Sequence, residues 1–505
     1  MKARIKMYIG IDFGTSFSKA AVWDSDSEQP EFLLPLGEYG VPSDFYYDKS
    51  QGILIGEEAD DAGQGMDAKN LKTGVKMDLS EDFIADGKRF TPEEIISEIY
   101  KVIIGLAQKE ADKKGFDSDI EGAVISVPAK FTEQEKNLIK HAAEKAGIEV
   151  IGIIKEPVAA ALAYYEVYAN RRANHVLIFD LGGGTCDIAL VEKDINSNPQ
   201  YKVVDADMVR CGGQKWDERL TNYIVNQLES KRGVGNIRSK GYLEKIRRAA
   251  INVKERLSNP ATDSTASRIE INGINYKTEI LLSTFEEITN DLMERTITPL
   301  RSIYDKYAYK YDIQDIVCVG GSSNMKQVQK SLEKMFPDCD VHVVDPERAV
   351  VYGAAIYADK IKDNYCIGRT SKADFVQDIA AFSYGTNIVK RGSSNDSDLE
   401  VAIMIHKGDS LPSEVKRRFT TKDDYQTGVS CDIYEADLDK EYCEVSDAGG
   451  FPIAKMNLKI PSGKLKGYPI DMVMRLNRDG MLEVEAMDEN GNHIETTINI
   501  NNLKR

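Results

Sequence analysis

Two kinds of hydrophobic spacing divide this chain of 505 residues. Up to residue 370, short apolar runs rich in β-branched side chains alternate with longer segments whose apolar positions recur every three or four residues. That is the strand–helix alternation of an α/β fold with crossover connections. Strands are expected at 8–11, 19–23, 121–128, 149–154, 176–179, 188–191 and up to Gly320, and helices at 92–114, 133–146, 158–168, 216–229, 242–257, 284–307, 325–336 and 345–358. Thr91 before Pro92, and Thr132 before its helix, are good N-caps. From Ser383 onward the helical period disappears. Alternating runs such as VAIMIHKG, GVSCDIYEAD and MLEVEAMD, separated by Gly, Asp, Asn and Pro, predict a separate all-β region. The expected organisation is therefore an α/β domain over 1–370, a linker over 371–378 and a β-sandwich over 379–505.

The α/β region repeats a short unit. The strand 8–11 ends on Asp12, passes Gly14, Thr15, Ser16 and Phe17, and returns at Lys19; the strand 176–179 ends on Asp180, passes Gly182, Gly183, Gly184 and Thr185, and returns after Asp187. A single Gly-rich hairpin is most simply a turn. Repeated with its carboxylate and threonine, it points to two related halves, each offering backbone N–H groups stripped of neighbouring Cβ atoms to an anion. Asp12 and Asp180, facing one another, suit Mg²⁺ held through waters and nucleotide phosphates. Further glycine pairs, Gly212-Gly213 and Gly320-Gly321, the second followed by Ser322, each precede a helix.

Composition narrows the function classes. A charged fraction of 29% with 42% apolar residues fits a soluble globular chain, and a formal net charge of −17 argues against non-specific nucleic-acid binding. No stretch approaches the roughly 20 apolar residues of a membrane span, and the N-terminus lacks the apolar core of a signal peptide. Seven scattered cysteines read as free thiols in a reducing compartment, and they and the five histidines show no zinc-ligand spacing. The expectation is a cytoplasmic protein with no nucleic-acid or membrane partner.

The segments IGIDFGTSFS, VPAKFTEQEK with IIKEPVAAALAYY, FDLGGGTCDIAL, and VCVGGSSNM with PERAVVYGAA resemble, in order and spacing, the seventy-kilodalton heat-shock chaperones of the DnaK type. The resemblance implies a two-lobed actin-like ATPase domain followed by a β-sandwich that binds extended apolar peptide of unfolded proteins. It implies ATP and ADP with Mg²⁺ and K⁺ as ligands, and J-domain co-chaperones and a nucleotide exchange factor as partners. It would assign Asp12 and Asp180 to the hydrated metal, Thr15 and Thr185 to the γ-phosphate, and Glu156 and Asp187 to the metal shell and attacking water. Lys72 resembles the lysine that steadies the transferring phosphoryl group, with Lys76 close by in sequence. Gly182, Gly183, Gly184, Gly212 and Gly213 would line the phosphates, and Pro157 matches a proline that relays nucleotide state toward the linker.

Two departures concern the base. The matched helix keeps Lys254 and Ser258, but Ile251 replaces a glutamate and Glu255 an arginine. After Gly320, Gly321 and Ser322, Asn324 replaces a second arginine. Both planar cations that sandwich adenine are missing, so weak adenine recognition is expected. In the β-region the peptide-channel positions match Phe419, Gln426, Val429, Cys431 and Met481, with Thr386 where a larger apolar residue is usual; alternation of Val429 and Cys431 fits a core-facing pair equally well. The family's linker is only partly kept at 374–378, and no lid helix follows the β-region in this sequence. Rival readings on the same ATPase core are an actin-like nucleotide-switched scaffold or filament protein and a small-molecule kinase.

Overall fold

The computed structural model describes residues 7–35, 39–63, 65–168, 173–230, 237–271, 273–366, 375–390, 392, 393, 395 and 397–497. The chain forms two compact units. The first comprises 1–129, 141–196 and 206–375, and the second 130–140, 197–205 and 376–505.

The first unit contains the same sheet twice. One runs Val150–Lys155, Ile120–Val127, Met7–Phe13, Phe17–Asp24, Gln29–Phe32; the other runs Asp340–Val343, Asp315–Val319, His175–Leu181, Cys186–Lys193. In each, a hairpin is extended on one side by two parallel strands, and in the first sheet an antiparallel strand follows on the other. The strands carrying Asp12 and Asp180 are therefore central. Their apolar residues are buried on both faces, which explains why they read as continuous runs rather than alternating ones.

Two small-residue helices, Glu156–Ala163 and Ala349–Cys366, pack against each other; the second lies on the first sheet, and the first lies against the strands His175–Leu181 and Cys186–Lys193 of the second sheet. A Cβ on Gly353 would overlap the Ala159 backbone, and one on Gly10 would overlap that of Ala354 and Ala355. The alanine-rich composition is thus a requirement of close helix approach. Thr91 makes a full capping box with Glu94, and Thr132 exchanges the same bonds with Glu135. Three expected helices differ, one of them the helix expected at 345–358, which runs Ala349–Cys366. The one at 158–168 ends at Ala163 and continues as a π-helical turn, Tyr164–Tyr168. The one at 284–307 divides into Leu282–Ile288 and Asn290–Tyr307, because buried Thr289 leaves helical geometry and donates its hydroxyl to the Phe285 carbonyl at 2.7 Å.

In the second unit, the sheet Ile433–Ala436, Ser383–Val389, Leu399–Ile405, Tyr442–Glu444 and the sheet Ser413–Thr420, Pro469–Leu476, Leu482–Asp488, His493–Thr497 share one core. Tyr384, Ile405, Ile433, Met472, Met474 and Val484 lie in it. Residues 371–374 of the expected linker lie outside the described residues, while Val376 and Gln377 form a short strand parallel to Tyr201 and Lys202 of the same unit.

Candidate functional site: a carboxylate cluster at the floor of a cleft

A cavity of about 700 Å³ opens in the first unit. Both glycine hairpins border it: Asp12, Gly14, Thr15, Ser16 and Phe17 from one, Asp180, Gly182, Gly183 and Thr185 from the other. Gly213, Lys254, Glu255, Ser258, Gly320, Gly321, Ser322 and Asn324 also line it, so the motifs singled out by sequence converge on one space. Gly184 and Gly212 lie immediately behind it. A Cβ on Gly184 would meet the side chains of Met77 and Thr15, and one on Gly212 would overlap the Gly183 backbone. These positions need glycine for backbone approach.

The floor is strongly charged. Asp12 accepts from the Ser126 hydroxyl at 2.9 Å, Asp187 from the Ala129 backbone N–H at 2.6 Å, and Glu156 from the Lys76 ammonium at 2.5 Å. Lys76 also donates to the Phe13 carbonyl. Asp12, Asp180, Asp187, Glu156 and Lys76 are all buried. Burial, with Glu156, Asp187 and Asp12 adding repulsion, raises Asp180 well above the carboxylate range. Burial likewise pushes Glu156 up to about 8, against the pull of Lys76, and Asp187 up to about 6, against its bonds from Thr185 and Ala129. Burial opposes the charge on Lys76, yet Glu156 and Asp12 more than offset it and raise its pKa.

Asp12, Asp180, Asp187 and Glu156 around the Lys76 ammonium leave an excess of negative charge in a buried site. Such an arrangement calls for a further cation. Asp187 does not itself line the cavity but lies buried behind Asp12, Glu156 and Asp180, and its Oδ2 has no hydrogen-bond partner among the described residues, an acceptor left uncompensated in this charged group. The donor set is all oxygen, which matches Mg²⁺ with its retained waters. The residues fit that ion.

One assignment needs correction. Lys72, the sequence's choice for the phosphoryl-steadying lysine, does not line the cavity; it lies in the edge strand Leu71–Lys72 and pairs with Asp78 at 2.6 Å. The following turn, Val75–Met77, starts from Gly74 at φ 62° and turns Lys76 inward. A lysine between two apolar residues directly after a glycine is the signal that marks it. Sequence reading also passed over Lys19, which pairs with Glu347 at 3.6 Å, and Asp217, which holds Lys254 at 2.8 Å.

Ile251, Glu255 and Asn324 also line the cavity, the last two at the positions where planar cations were expected to be missing. Arg247 and Arg248, one turn earlier on the helix Lys240–Ser258, do reach it. They are committed elsewhere: Arg247 to Glu244 at 2.8 Å, and Arg248 to Asp60 at 2.7 Å and Glu244 at 3.2 Å. Neither is a free guanidinium for stacking. Asp44 completes this group, its carboxyl raised to about 7 by burial and then by Asp60.

In the second unit the five channel positions are not equivalent. Cys431 lies in the shared core and Phe419 packs on that core half-buried, while Val429 packs on a separate cluster of Leu458, Ile460, Tyr468 and Ile470. Met481 is buried beside a tight turn whose Asn477 side chain accepts from its N–H at 2.9 Å. Gln426 ties its own loop, accepting from the Lys422 N–H and donating to the Gly428 carbonyl. Thr386 is buried and donates to the Asp432 carbonyl at 3.0 Å.

The family model described as Hsp70 protein matches residues 49–505. The chain belongs to the Hsp70 family. Relatives named chaperone protein DnaK include one from Thermosipho africanus, 29% identical over 95% of this chain and 77% of the relative. Another from Thermotoga neapolitana is 29% identical over 97% and 79%, and one from Halobacterium salinarum 28% identical over 97% and 74%. The paired sheets of this Hsp70 chain are accordingly the two lobes of an actin-like ATPase domain, and the packed antiparallel sheets are its β-sandwich. No described helix is long and apolar enough to cross a membrane.

Proposed function

We propose that this protein is a cytoplasmic ATP-dependent chaperone that hydrolyses ATP in the cleft of its first unit and binds extended apolar peptide through its β-sandwich. The observation that carries the reading is the buried cluster of Asp12, Asp180, Asp187, Glu156 and Lys76 beneath two glycine hairpins. Mg²⁺, when bound there, supplies charge neutralisation for the phosphate oxygens. The chain's own groups do the rest. N–H groups of the two hairpins and of Gly212 and Gly213 cradle the phosphates, and Thr15 and Thr185 offer hydroxyls to the terminal one. Lys76 sets a buried positive charge against the transferring phosphoryl group, where low dielectric makes it most effective. Asp187, with its unpartnered oxygen, adds its charge from behind and Glu156 holds Lys76 in place. K⁺ would balance the remaining negative charge.

Pro157, buried at the start of the helix that begins on Glu156, sits one residue from this chemistry and is the candidate relay to the linker 371–378. On this reading the ATPase domain covers 1–370 and the peptide-binding domain 379–505, with Phe419, Gln426, Val429, Cys431 and Met481 as its contact positions. J-domain co-chaperones and a nucleotide exchange factor are the expected partners. The test is ATP turnover with and without an apolar peptide. Stimulation by peptide supports the proposal; turnover indifferent to peptide, together with nucleotide-dependent sedimentation, would favour a filament protein.

A further inference from the structure

A second group of ligand-type side chains lies on the outer parallel strands of the second sheet, Asp315–Val319 and Asp340–Val343. The register sets Asp315 beside Asp340 and Val317 beside His342. Asp315, Asp340 and His342 each offer one ligand atom, and these atoms lie within 4.8 Å of one another. The set is mixed, two carboxylates and an imidazole, so it is chemically distinct from the all-oxygen cluster in the cleft.

Three features make it more than adjacent polar residues. The Asp315 carboxylate is buried, 3% exposed, and its second oxygen accepts from the Tyr164 hydroxyl at 3.2 Å. An outer-shell donor fixing one oxygen of a ligating carboxylate is the support that metal sites use. The His342 ring is stacked on Tyr164 with centroids 6.4 Å apart, which limits its rotation. His342 Nε2 lies 2.9 Å from Asp315 Oδ1. Two ligands bonded at about 2.1 Å to one tetrahedral ion lie about 3.4 Å apart, so a shift of about half an ångström converts this hydrogen bond into shared coordination. His342 is half-buried and Asp340 exposed, leaving a side open for ion entry and water.

We propose that Asp315, Asp340 and His342 form a divalent transition-metal site, with Zn²⁺ as the ion the donor set favours. Imidazole with carboxylate suits Zn²⁺ over Mg²⁺, which prefers oxygen alone. The ion would join the two strands at their N-terminal ends, remote in sequence from both glycine hairpins.

The test is calorimetric titration of Zn²⁺ into the full chain in millimolar Mg²⁺, which fills all-oxygen sites. The expected result is one Zn²⁺ per chain, with affinity falling at least tenfold in both Asp340→Asn and His342→Ala. Both side chains reach solvent, so the variants should fold; His342→Gln is a gentler second variant, and circular dichroism checks each. Zn²⁺ binding of the same strength in all three variants, or none in the wild-type chain up to millimolar ion, overturns the proposal.

Discussion

Replacing Lys76 by Met removes the ammonium set among the buried carboxylates of the cleft while keeping most of the side chain's volume. The ammonium is bonded to Glu156 at 2.5 Å and to the Phe13 carbonyl, with Asp12 and Asp187 near enough to act on its charge. A preorganised group aimed at developing charge is worth about 10²–10³ in rate, so single-turnover ATP hydrolysis should fall by that factor. Breaking a buried ion pair costs about 3–5 kcal/mol when the partner stays charged. Here Glu156 can avoid part of that cost by taking a proton, since burial already holds its pKa near 8 and loss of Lys76 raises it further. The sign follows from linkage: a carboxyl with a raised folded pKa contributes stability that is complete below its unfolded value and is lost as pH rises through the folded one. Lys76→Met should therefore be destabilised modestly at pH 6 and severely at pH 9. Lys72→Met, by contrast, removes a part-exposed pair with Asp78 worth about 0–1 kcal/mol and should leave turnover within a factor of about two. Phosphate release and chemical denaturation at the two pH values test all of this. A Lys72→Met protein that is dead while Lys76→Met turns over normally would refute the assignment.

Further outcomes can be checked in parallel. Asp180→Asn removes a carboxylate raised by burial and by repulsion from Glu156, Asp187 and Asp12, so turnover should collapse while the melting temperature holds or rises; an unchanged rate with nucleotide bound would oppose its role. Glu255→Arg with Asn324→Arg should tighten ATP binding, each restored stacking contact being worth about 0.5–2 kcal/mol, and calorimetry with ATP and GTP reads the change; equal tight ATP binding before and after would show another recognition route. In the second unit, burial next to Glu133 raises Glu435 to about 8, so stability complete below about pH 4.5 should be lost as pH rises through 8. Glu435→Gln should flatten that slope in denaturant melts, and an unaltered slope would contradict the cause.

The two hairpins were readable because a duplicated pattern needs no partner to be recognised: glycines, threonine and terminal carboxylate are all local in sequence. Their convergence depends on strand order, and the repeated alternation implied a repeated sheet, which is what the pairing shows. Lys76 was not readable in the same way. Lys72 and Lys76 differ only in which way the backbone turns them, and that is decided by the left-handed Gly74 and by pairing of Leu71 and Lys72 with the strand Phe45–Asp48. The helix break at Thr289 was hidden for a similar reason, since its cause includes a hydrogen bond to Gln327, 38 residues away.

The β-region shows where periodicity stops carrying information. Val429 and Cys431 are two residues apart and share a face of the chain, so spacing alone gives them one fate. They have two: Cys431 enters the core between the sheets, whereas Val429 packs on the cluster around Leu458 and Tyr468. The separation arises because the strand Gly428–Ser430 pairs with Asn457–Lys459 as a ribbon of its own, outside both four-stranded sheets. A residue on that ribbon can border a groove without belonging to the main core, while Cys431, just past it, cannot be exposed without opening the sandwich. If the β-sandwich binds peptide, Val429 and half-buried Phe419 can change their neighbours cheaply, and Val429→Phe should weaken a labelled leucine-rich peptide in anisotropy. Cys431→Ser should act through stability instead, since it places a hydroxyl in an apolar cluster at a cost of about 1–3 kcal/mol. Peptide affinity that falls in Cys431→Ser without loss of stability, and stands unchanged in Val429→Phe, would reverse the two roles.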